Sequence, residues 1–198
     1  AWDLGASPGS PVMNMPIKIN GWNSSRGYPQ NYGGGGYAGP ESMRTAMMKS
    51  HNTSTAQALY NYVGIDNSVY YLKQLGVSES HINADGAGLA LGTSGITPVE
   101  MAAAFGAIGN KGEYVSPVAF TRVLNTDGSV FLESSTYQER RQAFKESTAW
   151  LLVDVLKQCA SSSGTGKRAQ FGDITVAGKT GTNSDYKGVF FAGLTPYY

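Results

Sequence analysis

Four consecutive residues towards the end of the chain carry groups suited to binding a carboxylate: Lys179, Thr180, Gly181 and Thr182. The lysine ammonium and the neighbouring hydroxyls can hold a substrate carboxylate and polarise the site around it. The glycine lets a substrate backbone lie close to a strand edge. An outward backbone N–H of the same strand can complete an oxyanion hole. An ordinary strand end is the alternative interpretation of so short a motif.

Ser50, His51 and Asn52 form a second polar set, which lies between two stretches of helical spacing and upstream of the lysine. Serine and asparagine are common in helix caps and turns, so a cap or a turn is the plain interpretation of this set alone. The two sets in this order indicate a functional site more strongly than either set by itself.

Composition excludes several classes of protein. Of the 198 residues 41% are apolar, which is enough for a sizeable core, and a net charge of +1 provides no basic stripe for nucleic acid. The single cysteine, Cys159, excludes an internal disulfide and a cysteine-based metal site, and we expect a small buried side chain there. His51 and His81 lack carboxylate neighbours at ligand spacing, so no metal site is predicted. No apolar stretch approaches about 18 residues, the length of a membrane span.

Periodicity predicts the elements that must position the two polar sets. Pro40 is placed at the first position of a helix that runs towards Ser50. Thr97 and Glu100 form a capping box for a helix whose residues 101–108 are apolar nearly all round, which predicts burial on several sides. Further helices are predicted at residues 54–63, 67–75 and 145–160. Strands are predicted at residues 15–19, in a hairpin of 118–124 with 130–132, and in an antiparallel pair of 174–180 with 188–194. Helices beside an antiparallel sheet make an α+β fold.

The chain resembles the transpeptidase domain of class A penicillin-binding proteins. A Lys-Thr-Gly triplet marks penicillin-binding proteins and β-lactamases, together with a Ser-x-x-Lys and a Ser-x-Asn type element. Further landmarks in the family's order cover about residues 10–198: residues 31–32, 37–40, 95–102, 110–112, 164–166 and 191–196. The resemblance implies a β-lactamase/transpeptidase-like α+β fold in a single partial domain, with residues 1–40 as a loop-rich lead-in and residues 41–198 as the transpeptidase core.

The resemblance also implies acyl transfer through a serine. Ser50 would relay a proton to the leaving nitrogen, Asn52 would bond the substrate amide, and Lys179 would tune Ser50 and the substrate carboxylate. Thr180 and Thr182 would hold that carboxylate, beside Gly181. The Thr182 N–H would supply half of the oxyanion hole.

The Ser-x-x-Lys nucleophile of the family is absent from residues 1–49, where no serine has a lysine three residues later. We therefore expect the nucleophile to lie outside this chain, just before Ala1, and the family's last strand and helix to lie after Tyr198. The chain alone is expected to be inactive. Three partial matches are discounted: Ser184 to Lys187 lies between strands, Pro8 cannot donate the N–H that an esterase-type site at Ser7 needs, and Gly166-Lys167 lacks the remainder of a phosphate loop.

The resemblance implies partners and a location for the parent protein. The partners are peptidoglycan stem peptides ending in D-Ala-D-Ala and β-lactams, without nucleic acid, cofactor or metal. The parent is expected outside the cytoplasm, with an N-terminal glycosyltransferase domain and a membrane anchor. A carboxypeptidase or β-lactamase relative, a non-catalytic β-lactam sensor and a scaffold with decayed motifs are the alternatives. Intact motifs disfavour the scaffold.

Overall fold

The computed structural model describes residues 1–17, 29–32, 36–183 and 188–197, in which helices alternate with antiparallel strand pairs. This is the α+β arrangement that the sequence predicts. The helices are α1 (Met43–Lys49), α2 (Asn52–Ala58), α3 (Ile65–Gln74), α4 (Gly86–Leu91), α5 (Pro98–Gly109) and α6 (Glu146–Cys159), with a π-helical turn at Leu59–Val63. None of the helices in these ranges is long and apolar enough to span a membrane.

The described strands form four antiparallel pairs. They are β1 (Pro11–Asn14) with β2 (Gly39–Ser42), β3 (Glu113–Val115) with β6 (Arg140–Gln142), β4 (Arg122–Leu124) with β5 (Val130–Glu133), and β7 (Ala177–Thr182) with β8 (Val189–Leu194). The two local pairs, β4–β5 and β7–β8, confirm the predicted hairpin and the predicted terminal pair. The β1–β2 and β3–β6 pairs were not predicted, because each joins short segments separated by more than twenty residues.

One predicted element start near the second polar set is wrong, and one predicted strand is contradicted where the structure describes it. Pro40 does not begin a helix: it lies in β2 opposite Met13, and α1 begins at Met43. The Ser42 hydroxyl caps α1 by accepting a hydrogen bond from the Thr45 N–H, which a proline side chain cannot do. Of the predicted strand at 15–19, residues 15 and 16 are not in a strand, since β1 ends at Asn14, and residues 18 and 19 lie outside the described residues.

Helix α5 has the predicted capping box, in which Thr97 Oγ1 accepts from the Glu100 N–H and the Glu100 carboxylate accepts from the Thr97 N–H. The predicted burial on several sides is wrong. Within the described part of the chain α5 contacts β3, α6 and β8, and of its residues Ala107 is buried whereas Val99 is 59% exposed. Apolar composition all round does not ensure that every side of a helix is buried: Ala102 and Gly106 are exposed although both lie in the apolar run.

Asp3 ties the start of the chain to helix α6. Its carboxylate accepts hydrogen bonds from the Lys145 N–H (2.8 Å), the Thr148 hydroxyl (2.9 Å) and the Tyr71 hydroxyl (2.7 Å). Burial acts to raise the pKa of Asp3, but these hydrogen bonds outweigh it and the pKa lies below its usual range. Burial and the bond to Asp3 raise the pKa of Tyr71 to about 12. The carboxylate thus caps α6 from outside the helix.

Replacing Asp3 by Ala should destabilise the domain, because the α6 N-terminus and the Tyr71 hydroxyl lose their acceptor. Loss of a helix cap typically costs about 0.5–2 kcal/mol. Urea unfolding followed by circular dichroism should show this loss. Asp173→Ala, at an exposed position, is the control and should leave the midpoint unchanged. Equal midpoints for both variants would contradict the capping role.

The lowered pKa of Glu100 predicts that its contribution to the stability of the fold is lost in acid. Hydrogen bonds from the Ser78 N–H, from the Thr97 N–H and hydroxyl, and from His81 lower the pKa of Glu100 from 4.5 to about 2. The folded state therefore favours the carboxylate, so its contribution is present above pH 4.5 and is lost as the pH falls towards 2. The difference in unfolding free energy between the wild type and Glu100→Gln should shrink over that window. Glu79→Gln, at a 75% exposed side chain, should show no such trend.

Candidate active site

Ser50 lies in a two-residue link between α1 and α2 and has left-handed backbone angles, with φ 58° and ψ 45°. Its N–H bonds the Ala46 and Met47 carbonyls and so closes the end of α1. For a residue with a Cβ this conformation costs roughly 1–2 kcal/mol. Such strain persists only where the surroundings enforce it, and functional sites are where it concentrates.

The structure brings Lys179 to Ser50 across 129 residues of sequence. The Lys179 Nζ donates to Ser50 Oγ at 2.9 Å and to the Thr180 carbonyl oxygen at 2.9 Å, and it lies 3.5 Å from Thr180 Oγ1. The two polar sets identified in the sequence therefore form one site. Strand β7 carries the lysine and the α1–α2 link carries the serine.

The environment of Lys179 favours proton transfer. Burial lowers the pKa of the Lys179 ammonium, and the nearby Cys159 side chain opposes that effect. Cys159 is fully buried, as expected, and burial raises the pKa of its thiol against the opposing effect of Lys179. An ammonium whose pKa is lowered gives up its proton more readily, and Ser50 Oγ, which accepts its hydrogen bond, can relay a proton by passing its own hydroxyl proton on as it accepts one.

Asn52, the third member of the second set, is the first residue of α2 and its side chain is held away from the lysine by a backbone partner. The Asn52 Nδ2 donates to the Gln30 carbonyl oxygen at 2.9 Å. The residues that precede and follow it, His51 and Thr53, point their side chains into a buried polar cluster. The structure thus places Asn52 beside the site without a contact to Lys179.

Thr165 is a site neighbour that motif reasoning did not single out. Its Oγ1 lies 2.8 Å from Thr180 Oγ1. Its loop is fixed by the Gly166 N–H, which donates to the Cys159 carbonyl at 2.9 Å, and by Lys49 Nζ, which donates to the Ser163 carbonyl at 2.9 Å. The sequence signal that points to Thr165 is the family landmark at residues 164–166, which contains it.

The two glycines of β7 differ in what surrounds them. A Cβ on Gly178 would lie 2.3 Å from the Phe191 ring and 2.7 Å from the Ala192 carbonyl oxygen, so packing against β8 requires glycine there. A Cβ on Gly181 would meet nothing within 4 Å. Gly181 and Thr182 are exposed. The open space at Gly181 lies along the strand edge where the sequence predicts a substrate backbone.

Gly178→Ala should destabilise the domain by about 1–3 kcal/mol through overpacking, and Gly181→Ala should leave the stability nearly unchanged. Thermal unfolding of the two variants measures the difference directly. Gly181→Ala should still impair ligand binding if the open space receives a substrate backbone. A loss of stability in Gly181→Ala equal to that in Gly178→Ala would contradict this division of roles.

Two serine motifs from the sequence, at Ser184 and at Ser7, remain to be placed. Ser184 and Lys187 lie outside the described residues. Ser7 lies in an exposed turn with its hydroxyl 3.4 Å from Ser10 Oγ. The two histidines each contact a glutamate, His51 with Glu41 and His81 with Glu100, which their sequence spacing did not indicate. In the described ranges no three metal-ligating side chains come together.

Comparison with protein-family models decides the family. The model described as penicillin binding protein transpeptidase domain matches residues 9–196. The chain belongs to this family. Penicillin-binding protein 1A of Clostridium acetobutylicum is 39% identical over 191 residues, which make up 96% of this chain and 23% of that protein. The resemblance to class A penicillin-binding proteins that the motifs indicate is thereby confirmed, and the chain spans under a third of this relative's length.

Solved structures confirm the fold. Penicillin-binding protein 1A from Haemophilus influenzae matches with a TM-score of 0.82 at 23% identity, over 97% of this chain and 34% of that chain. Penicillin-binding protein A from M. tuberculosis, in an imipenem acyl-enzyme complex, matches with a TM-score of 0.79 at 21% identity, over 97% of this chain and 47% of that chain. At such identity the likeness establishes the fold and not the chemistry.

Proposed function

We propose that this chain forms part of the active site of a serine DD-transpeptidase that cross-links peptidoglycan stem peptides. The observation that carries the proposal is the 2.9 Å contact from Lys179 Nζ to Ser50 Oγ. It joins two motifs that are far apart in sequence and whose residue types suit acyl transfer. The match to the penicillin binding protein transpeptidase domain over residues 9–196 supports the same reaction class.

The proposed first half-reaction opens an amide. The nucleophilic serine, supplied by a Ser-x-x-Lys outside residues 1–198, attacks the carbonyl carbon of D-Ala-D-Ala or of a β-lactam ring. A serine O–C bond forms as the C–N bond breaks, and the serine proton passes to the leaving nitrogen. Ser50 relays that proton, and the lowered pKa of Lys179 allows the lysine to exchange protons with Ser50 Oγ. An amine then attacks the ester carbonyl: a C–N bond forms as the serine C–O bond breaks, and the proton lost by the amine returns to the serine oxygen.

The remaining site residues hold the substrate in this proposal. The Thr180 and Thr182 hydroxyls bind its terminal carboxylate, Gly181 leaves space for its backbone, and the Thr182 N–H donates to the developing oxyanion. The Asn52 side chain bonds the substrate amide through its Oδ1 and its second Nδ2 hydrogen, since the first Nδ2 hydrogen is donated to the Gln30 carbonyl. Thr165 orients the Thr180 hydroxyl through their 2.8 Å contact.

The proposal extends to the parent protein. It works outside the cytoplasm at the bacterial membrane, is anchored by a segment outside this chain and carries an N-terminal glycosyltransferase domain. The reaction needs no cofactor or metal, because the side chains above supply every proton transfer and charge.

Intact-mass spectrometry after incubation with penicillin G tests the function. It should be applied to this chain and to a longer natural chain that extends upstream through the Ser-x-x-Lys. We expect a single adduct of penicillin mass on the longer chain and none on residues 1–198. Lys179→Met in the longer chain should slow the acylation about 10²-fold or more, since a proton-transfer group is lost.

The other possible results of the mass measurement each contradict a stated part of the proposed function. An adduct on residues 1–198 would refute the proposal that the nucleophile lies outside them, and peptide mapping would identify the serine. No adduct on either chain would refute the enzyme and favour a scaffold. Rapid loss of the adduct to water would identify a β-lactamase or carboxypeptidase instead of a transpeptidase.

A further inference from the structure

A buried cluster of polar side chains packs against the link that carries Ser50. It joins β1, β2 and the start of α2. Asn14, Thr53 and Ser54 are fully buried, and Glu41 has only 6% of its side chain exposed. In the described residues no buried side-chain polar atom lacks a hydrogen-bond partner. Such a cluster specifies one arrangement, because its members lose hydrogen bonds in any other.

Glu41 and His51 form the charged centre of this cluster. The His51 Nδ1 lies 2.9 Å from both carboxylate oxygens of Glu41, and the Ser54 hydroxyl donates to the same carboxylate. A carboxylate only accepts, so the imidazole donates its Nδ1–H. The Asn14 Nδ2, which lies 3.0 Å from Nδ1, is also a donor and so does not bond this Nδ1–H; Asn14 is fixed instead because its Oδ1 accepts from the Asn31 amide and the Thr53 hydroxyl.

The cluster acts on Ser50 through the backbone of His51. The His51 N–H donates to the Ala46 carbonyl at 2.9 Å, and the His51 carbonyl accepts from the Thr55 N–H at 3.1 Å. His51 is therefore held at its ring by β2 and at its main chain by α1 and α2. Ser50 is the residue between this fixed point and the end of α1, so hydrogen bonds on both sides restrict the backbone angles that it can adopt.

We propose that the Glu41–His51 pair is a positioning device, which holds Ser50 in the left-handed conformation that brings its Oγ to Lys179. The backbone part of this inference stands on the geometry alone. Its consequence for catalysis rests on the proposed function. Glu41 and His51 touch no reacting atom, so they act through Ser50.

The chain offers a matched control in a second histidine–glutamate pair. His81 Nδ1 lies 3.0 Å from both carboxylate oxygens of Glu100, which also accept from Ser78 and Thr97. This pair has the same chemistry and also organises the start of a helix. Its hydrogen bonds involve Ser78 and Thr97 and neither Ser50 nor Lys179, so it separates loss of a histidine–carboxylate pair from loss of Ser50 positioning.

Hydrogen–deuterium exchange on residues 1–198 tests the backbone part without any activity. In Glu41→Gln the amides of Ser50 and His51 should exchange at least about tenfold faster, equivalent to about 1.4 kcal/mol of lost local protection. In Glu100→Gln they should exchange as in the wild type. Unchanged exchange in Glu41→Gln overturns the inference. If Glu41→Gln does not fold, His51→Gln provides the same test, because it leaves the buried carboxylate bonded to Ser54.

Penicillin G acylation of the longer natural chain tests the catalytic part. Glu41→Gln and His51→Gln should each slow acylation about tenfold or more, and the double variant should be no slower than the slower single variant. Glu41→Gln should add no further loss in a Ser50→Ala background, because a residue that acts through Ser50 has nothing left to position. Glu100→Gln and His81→Gln should stay within about twofold of the wild type.

The two tests fail in different ways. No adduct on the wild-type longer chain refutes the proposed function and leaves the exchange experiment to decide the positioning. If adding Glu41→Gln to Ser50→Ala slows acylation further, Glu41 has a general structural role and the inference is overturned. Equal slowing of acylation by Glu41→Gln and Glu100→Gln also overturns the inference.

Discussion

The contact between Lys179 and Ser50 is the interaction around which the described structure is arranged. An ammonium that is partly removed from water needs oxygen acceptors, and here they are a serine hydroxyl on one element and a strand carbonyl on another. To make the contact, β7 must lie beside the α1–α2 link. Helix α6 packs on both α1 and β7 and so fixes their separation. The site thus depends on helix packing more than on either motif.

Both partners in that contact are held in unfavourable states, and the surrounding structure compensates for this. Ser50 has a left-handed backbone, and Lys179 is a desolvated cation whose pKa is lowered. Side chains on β1, β2 and α2 form a hydrogen-bonded polar cluster beside Ser50, and we propose that this cluster holds the first state. The Thr180 carbonyl and the anchored loop at Thr165 support the second. Rigidity of this kind keeps proton donors and acceptors in place before a substrate arrives.

The predictable parts of the fold are those in which short-range signals agree. The capping box at Thr97, the alternating run into Lys179 and the helical spacing of α6 each specify an element locally, and all three are present. Prediction failed where an element depends on a distant partner. Pro40 belongs to β2 because β1 lies opposite, and which residues of α5 are exposed depends on the elements that pack against it. Periodicity carries no information about either.

The sequence by itself determined the family and the α+β class and predicted residues for the site, because these follow from motifs whose order and residue types are visible in one dimension. Only the tertiary structure decided that Ser50 and Lys179 touch, that Thr165 joins them and that Glu41 holds His51. These contacts join residues between 10 and 129 positions apart, and no local preference connects them. They arise from packing, which selects one geometry among many that the same motifs would allow.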